Sequence, residues 1–258
     1  MLVFDDETRR TLDLGYLGAD VAMRRRVSFD ALDPAPGDRI LDLGCGTGLL
    51  CAELSRAVGA EGRVIGVDPS PDMRRAAEER CADFANVTIE DGSDSDLPVG
   101  EGEVDKAVAV QVFEYLDDLP AAARRLRKVL SPGGRLVIAD SHLGTLVWHS
   151  GNPGRMARML AAWDRHFTLS DVPARLPAIL RDNGFAVGAI TPVTICDPVL
   201  RPDGLALTLM VLMNAYAVQN GLVEAAEADA WEAEQHELAA EGRFFFSLTQ
   251  FVVAARKI

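Results

Sequence analysis

The sequence predicts an α/β fold: a Rossmann-like, doubly wound sheet of seven strands, mostly parallel. An N-terminal helical segment precedes it, and a helical lid is inserted before the last strand. Three observations predict this. Short apolar runs alternate with helical stretches between residues 39 and 139. A turn with glycine at every second position, Gly44, Gly46 and Gly48, closes the first run. Beyond residue 140 the alternation loosens, and an apolar helical stretch separates the last two strand-like runs. Alternating strands and helices imply a parallel sheet covered on both faces. Ligands of such sheets bind outside the carboxyl ends of the strands.

The elements follow in order. Residues 5–32 read as helix, with Leu12, Leu14, Leu17, Val21 and Met23 on apolar faces, ended by Asp33-Pro34-Ala35-Pro36-Gly37. Strands are expected at 39–43, 63–67, 87–90, 106–112 and 135–139. Helices are expected at 49–58, 71–81 and 119–130, and a turn at Ser131-Pro132-Gly133-Gly134. Later, 155–166 and 174–183 read as helices, and 185–191 and 244–254 as the sixth and seventh strands. Three units result: an N-terminal helical segment 1–34, a sheet domain 35–193 with 244–258, and a helical insertion 194–243. If the sixth strand runs parallel to the others, its exit lies on the ligand face and the insertion covers the site. The stretch LALTLMVLMNAYAVQ is apolar almost all round but too short to span a bilayer, so it is expected to be buried. Its Met210 and Met213 are candidate wall residues of an apolar substrate pocket.

The net charge of −13 disfavours nucleic acid as a partner. The opening MLVFDDETRR lacks a signal-peptide core and no apolar run reaches membrane-span length, which together predict a cytoplasmic protein without membrane association. Cys45, Cys51, Cys81 and Cys196 form no C-x-x-C pair, and no metal site is expected.

The run ILDLGCGTGLL raises the question of its ligand. A phosphate-binding loop requires lysine where Leu49 stands. A dinucleotide fingerprint requires its third glycine at that same position. Asp42, just before the loop, is unhelpful beside a pyrophosphate and suits a ligand bearing ammonium or sulfonium. Asp68 ends the second strand about twenty residues on, where an acid accepts ribose hydroxyls of any nucleoside. A helix N-cap is its plainer role.

LDLGCGTG, GVDPSPDM, GSDSDLPV, VQVFEYLDD and LRKVLSPGGRLVIAD, in this order, resemble the motifs of class I S-adenosylmethionine-dependent methyltransferases. The nearest likeness is the small-molecule group that includes the ubiquinone/menaquinone methyltransferases, over about residues 35–140. The resemblance implies S-adenosyl-L-methionine as cofactor, S-adenosyl-L-homocysteine as product and methyl transfer by in-line displacement to a small-molecule acceptor, quinone-like or polyketide-like. It implies that the amides of Gly44, Cys45 and Gly46 face the methionine part, that Asp42 holds its ammonium and that Asp68 takes the ribose hydroxyls. Pro69 and Met73 are implied beside the adenine, Gly92, Ser93 and Asp94 at its amino group, and Gln111 beside the methionine. Where many relatives carry an acid, this chain has Ser93.

The sulfonium supplies the electrophile, so the protein needs a general base only if the acceptor must lose a proton. Candidates must project from the fourth or fifth strand or the lid. His149 is the first choice and His142 the second, because imidazole titrates near neutrality. Glu114 and Tyr115 follow the fourth strand, Trp148 offers an apolar wall, and Tyr16 could fold over the site; all four are candidate substrate contacts. His166 and His236 read as helix-face residues. Two rival functions remain: the same fold using the cofactor structurally, as a cyclase, lyase or binding subunit, and an NAD-dependent oxidoreductase. A homodimer is compatible with the apolar insertion.

Overall fold

The computed structural model describes residues 15–258; Leu12, Leu14 and the rest of the expected helix before residue 15 lie outside them. Eight strands form a single sheet: β1 Arg39–Leu43, β2 Arg63–Asp68, β3 Val87–Asp91, β4 Val104–Val110, β5 Leu130–Ser141, β6 Val147–Trp148, β7 Phe185–Asp197 and β8 Phe246–Lys257. The α-helices of the described residues are α1 Ala19–Leu32, α2 Leu49–Val58, α3 Pro71–Cys81, α4 Leu119–Val129, α5 Pro153–Asp164, α6 Val172–Asp182, α7 Leu205–Gln219 and α8 Ala225–Ala240. The sheet runs β3-β2-β1-β4-β5-β8, with β7 on the far side of β8. β1 to β5 are mutually parallel, and β8 lies antiparallel to both β5 and β7. β7 is therefore parallel to the first five strands, and its exit lies on the side of their carboxyl ends.

Local chemistry explains most of the boundaries. β1 and β2 are buried on both faces apart from their first residues, as a central parallel strand requires. Ser70 caps α3 with its side chain and Pro71 occupies the first helical position. Asp118 caps α4 in the same way. The helices expected at 155–166 and 174–183 begin two residues earlier, because Asn152 caps α5 before Pro153, and Pro173 sits in the first turn of α6. His166 consequently falls after α5. It is buried there, which corrects its reading as a helix-face residue.

Other expectations are also corrected. The fourth strand stops at Val110, since Gln111 adopts φ 58° and leaves the ladder. The turn expected at 131–134 lies inside β5, with Gly133 at φ 72° and a register shift against β4. The eighth strand is the two-residue β6, paired with Phe246 and Ser247 at the start of β8. β7 runs to Asp197, because Val193 to Asp197 pair with Gln250 to Phe246, so the insertion begins only after residue 197.

Three apolar cores result. One lies between the sheet and α4 and α6, around Phe113, Leu126, Leu176 and Phe185. A second lies under α1, α2 and α3, around Leu32, Leu54, Val58 and Ala77. The third belongs to the later helices, where Trp231, Met159, Met210 and Met213 pack together. No helix among the described residues is long and apolar enough to cross a membrane; α7 is apolar all round because it is the centre of this third core.

The insertion is tied to the start of α1. The Asp20 carboxylate accepts from the Leu205 amide at 2.9 Å and pairs with Arg201 at 2.8 Å, and Arg201 also reaches Asp197. A side chain at Gly15 or Gly18 would collide with Thr208 or the Asp203 carbonyl. The insertion thus holds the segment from residue 15 to Val21 in place from outside.

Candidate functional site

The carboxyl ends of β1, β2 and β4 open on a cavity of about 290 Å³ roofed by Tyr16, Val21 and Arg24. The glycine turn forms its floor. Gly44, Gly46 and Gly48 have φ of 70°, 53° and 78°, a region costly for side-chain-bearing residues. A Cβ at Gly44 would lie 2.3 Å from Val112, and one at Gly48 2.9 Å from the Ala77 backbone. At Gly46 the same space is open. Gly48→Ala is therefore expected to destabilise the protein by about 1–2 kcal/mol, read as a lower midpoint in denaturant titration.

Gly44, Cys45 and Gly46, expected beside the methionine part of a cofactor, all line the cavity. Gly44 and Cys45 both donate to the Val67 carbonyl, at 2.7 and 3.0 Å, and Gly46 donates to Asp68 Oδ2 at 2.9 Å. These bonds lace the turn to the tip of β2, so each of the three amides is already engaged within the protein. What the turn offers a ligand is its glycine Cα surface and the two acids it carries.

Those acids are buried. Asp42 is 2% exposed, and Oδ2 accepts from the Cys51 thiol at 3.1 Å. Burial, with a further push from Asp68, raises its pKa to about 7 against the help of that thiol. Asp68 accepts from Gly46 on one oxygen and from the Ser70 amide, at 2.9 Å, on the other. Burial raises its pKa as well, opposed by these amides and by Arg74. A carboxylate has about four acceptor sites, so Asp68 keeps capacity for two further hydrogen bonds. Asp68 also caps its own loop through Ser70, so its plainer role and its ligand role coexist.

Pro69, Met73, Ser93 and Asp94 line one side of the cavity, and Gln111 and Tyr115 another. Asp94 is held by Arg125 at 2.7 Å. Gly92 does not line it; its Cα faces the Asp96 carbonyl in a turn. Gln111 accepts from Arg24 at 3.2 Å and donates to Glu114 and Ser141, both at 3.2 Å. Glu114 is buried beneath the cavity wall beside Asp140, and Tyr115 donates to or accepts from His166 Nε2 at 3.0 Å.

The later candidates lie elsewhere. His149 is exposed, bonded through its backbone to Phe245 and Gln235. His142 Nδ1 accepts from the Gly144 amide and caps a short helical turn. Neither imidazole lines the cavity. Trp148 donates to Gln235 at 2.9 Å and packs edge-on against Trp231 and Phe246. Trp148, Met210 and Met213 are members of the third core and do not line the cavity. The insertion contributes by bracing Tyr16 and Val21.

Sequence reasoning missed Arg24 and Gln250. Both line the cavity and are nearly fully buried. The one signal for Gln250 was a glutamine directly before the apolar FVV of the last strand.

Residues 40–134 match the model of a methyltransferase domain family. The chain is 34% identical over 239 residues to an uncharacterised 37.1 kDa protein of a transposon from Streptomyces fradiae, covering 90% of this chain and 66% of that one. It is 38% identical over 110 residues to 2-phytyl-1,4-naphtoquinone methyltransferase of Synechococcus elongatus, covering 42% of this chain and 47% of that enzyme. The chain thus spans about half to two thirds of the length of these relatives. The structure of a methyltransferase-like protein from Bacillus halodurans superposes with a TM-score of 0.65 at 13% identity, over 90% of this chain and 98% of that one, which shows the shared fold.

Proposed function

From a chain that belongs to the class I S-adenosylmethionine-dependent methyltransferases, we propose an enzyme that moves a methyl group from S-adenosyl-L-methionine to a small-molecule acceptor, leaving S-adenosyl-L-homocysteine. One observation carries the reading: two buried carboxylates, Asp42 and Asp68, flank a glycine turn at the mouth of one cavity. Buried acids without a cation are costly. A ligand that brings an ammonium and a sulfonium to Asp42 and ribose hydroxyls to Asp68 offsets that cost.

The residues fit such a cofactor. Asp42 would hold its positive end, Asp68 its ribose, Pro69 and Met73 its adenine, and Ser93 or Asp94 the adenine amino group. Bound there, the cofactor supplies an electrophilic methyl group. The chain's own task is to orient the acceptor and exclude water, for which Tyr16 and Val21 in the roof and Tyr115 in the side wall provide apolar surface. The acceptor is a free metabolite, quinone-like or polyketide-like, in keeping with a net charge that repels nucleic acid.

The test has two steps. S-adenosylhomocysteine raises the melting temperature and NAD does not. Incubation with S-adenosylmethionine and candidate acceptors then gives a product heavier by one methyl group. Stabilisation by NAD alone defeats the reading at the first step, and turnover to a product of unchanged mass defeats it at the second.

A further inference from the structure

Behind the glycine turn, two sulfurs fill a space that the second strand leaves empty. Gly66, in the middle of β2, pairs with Asp42 of β1. A glycine weakens a strand interior, and it often marks a place where another group must come close to the backbone. Here that group is sulfur: a Cβ on Gly66 would lie 2.8 Å from Cys51 Sγ and 3.1 Å from Cys45 Sγ. Both cysteines are buried, Cys51 completely. The two thiols hydrogen-bond with each other. Cys51, in the first turn of α2, also donates to Asp42 Oδ2 at 3.1 Å. The Asp42 carboxylate makes no other hydrogen bond among the described residues. One oxygen is thereby fixed toward α2, and the other is left for the cavity that Asp42 lines.

The donor is dependable. The hydrogen bond with Cys45, burial and the charge of Asp42 push the Cys51 thiol well above its usual range, so it stays protonated. The other surroundings of Asp42 work against its charge. Burial disfavours it, and so does Asp68 at the tip of β2. Cys45 from the glycine turn and Cys81 from α3 feel that charge as well, and neither brings a cation. On the β4 side Asp42 pairs with Val108. Cys51 is thus the group that favours the carboxylate before a ligand arrives. A site whose charged group is already oriented binds with a smaller ordering cost. Because a thiol is a weak donor, it can orient the acid and still leave most of the charge to the ligand.

We propose that Cys51 is a positioning residue of the cofactor site: its thiol, seated in the space left by Gly66, fixes one oxygen of Asp42 so that the other meets the positive end of S-adenosylmethionine. This rests on the methyltransferase reading and adds to it the residue that prepares Asp42 for its ligand. Gly66 and Cys51 act as one device, since a side chain at position 66 would meet the sulfur.

The test is calorimetric titration of S-adenosylhomocysteine, which carries the ammonium, into the full chain between about pH 6 and pH 8.5. Wild-type affinity is expected to follow the ionised fraction of Asp42, with its midpoint at about 7. Cys51→Ala is expected to move that midpoint up by about one pH unit. Its affinity then falls about fivefold below wild type at pH 7 and stays within about twofold at pH 8.5. Cys51→Ser keeps a donor and is expected to restore most of the wild-type profile. Should Cys51→Ala fail to fold, Cys51→Val fills the site of the thiol without a hydrogen to donate and is read in the same way. A donor-less variant with the wild-type midpoint overturns the proposal, even if its affinity is lower by an equal factor at every pH, because a merely structural role moves the affinity and not the profile. A Cys51→Ser profile shifted as far as that of the donor-less variant overturns it too. A wild-type chain that binds S-adenosylhomocysteine equally at every pH overturns the role of Cys51 and leaves the cofactor reading standing. A chain that takes up no S-adenosylhomocysteine at any pH overturns that reading, and the proposal with it.

Discussion

Asp68→Ala weakens binding of S-adenosylhomocysteine by about 3 kcal/mol, on the order of a hundredfold in Kd by calorimetry. Two losses combine. The carboxylate has two acceptor sites left after Gly46 and Ser70 are served, enough for both ribose hydroxyls. Hydrogen bonds to a charged acceptor contribute about 1.5–3 kcal/mol each, and part of that is recovered by water. The alanine variant also frees the Gly46 amide, which stitches the glycine turn to β2, so the floor of the cavity loses its pre-set shape. Asp68→Asn separates the two effects. Its amide oxygen can still accept from one loop amide, so it restores part of the turn but not the charged acceptor. An affinity in Asp68→Ala equal to wild type removes Asp68 from the ligand site.

The parts of the site that were legible in the sequence are those written in one continuous stretch. Asp42 and the glycines adjoin, and Asp68 follows at the tip of the next strand, so local spacing fixes their neighbourhood. Arg24 and Gln250 stand 226 positions apart and meet only because β8 enters the sheet beside β5, opposite in direction to its neighbours. Nothing in the periodicity of the last strand shows which of its residues faces the cavity. The misplacement of Trp148 and His149 has a specific cause. They follow a strand that ends at the ligand face, which made them look like site residues. Pairing of Val147 and Trp148 with β8 instead draws the segment beneath the later helices, where Trp231 and Phe246 bury the indole and leave His149 in solvent. The methionines of α7 were misread for a related reason. An apolar stretch between two strands declares burial, but not whether it is buried against a ligand or against α5 and α8. The insertion was large enough to make its own core, and it acts on the cavity through Asp20 and Arg201.

The buried acids predict an unusual response to pH. For a carboxyl whose pKa is raised by folding, the folded state holds the proton more tightly than the unfolded state. Its ionisation in the folded protein therefore costs stability as pH rises through the folded pKa, and none of that cost is present below the unfolded pKa of about 4. Asp42 and Asp140 both have folded values of about 7, and Glu114 and Asp68 are shifted in the same direction. His166 opposes them. Burial lowers its pKa to about 4, so protonation of the unfolded chain erodes stability as pH falls below about 6.5. Between pH 8 and pH 6 each carboxyl with a value near 7 contributes on the order of 1 kcal/mol, and the histidine removes somewhat less than one such carboxyl adds. The free protein is therefore expected to gain on the order of 2 kcal/mol on acidification from pH 8 to pH 6, measured by denaturant titration. Ligand binding runs the other way. An ammonium or sulfonium beside Asp42 favours the ionised acid, so affinity for S-adenosylmethionine rises about tenfold from pH 6 to pH 8. Asp42→Asn abolishes both trends at that position: its free form no longer gains from that site on acidification, and its residual affinity becomes flat with pH. A cofactor affinity in the wild-type chain that does not change over this range places the positive charge somewhere other than Asp42.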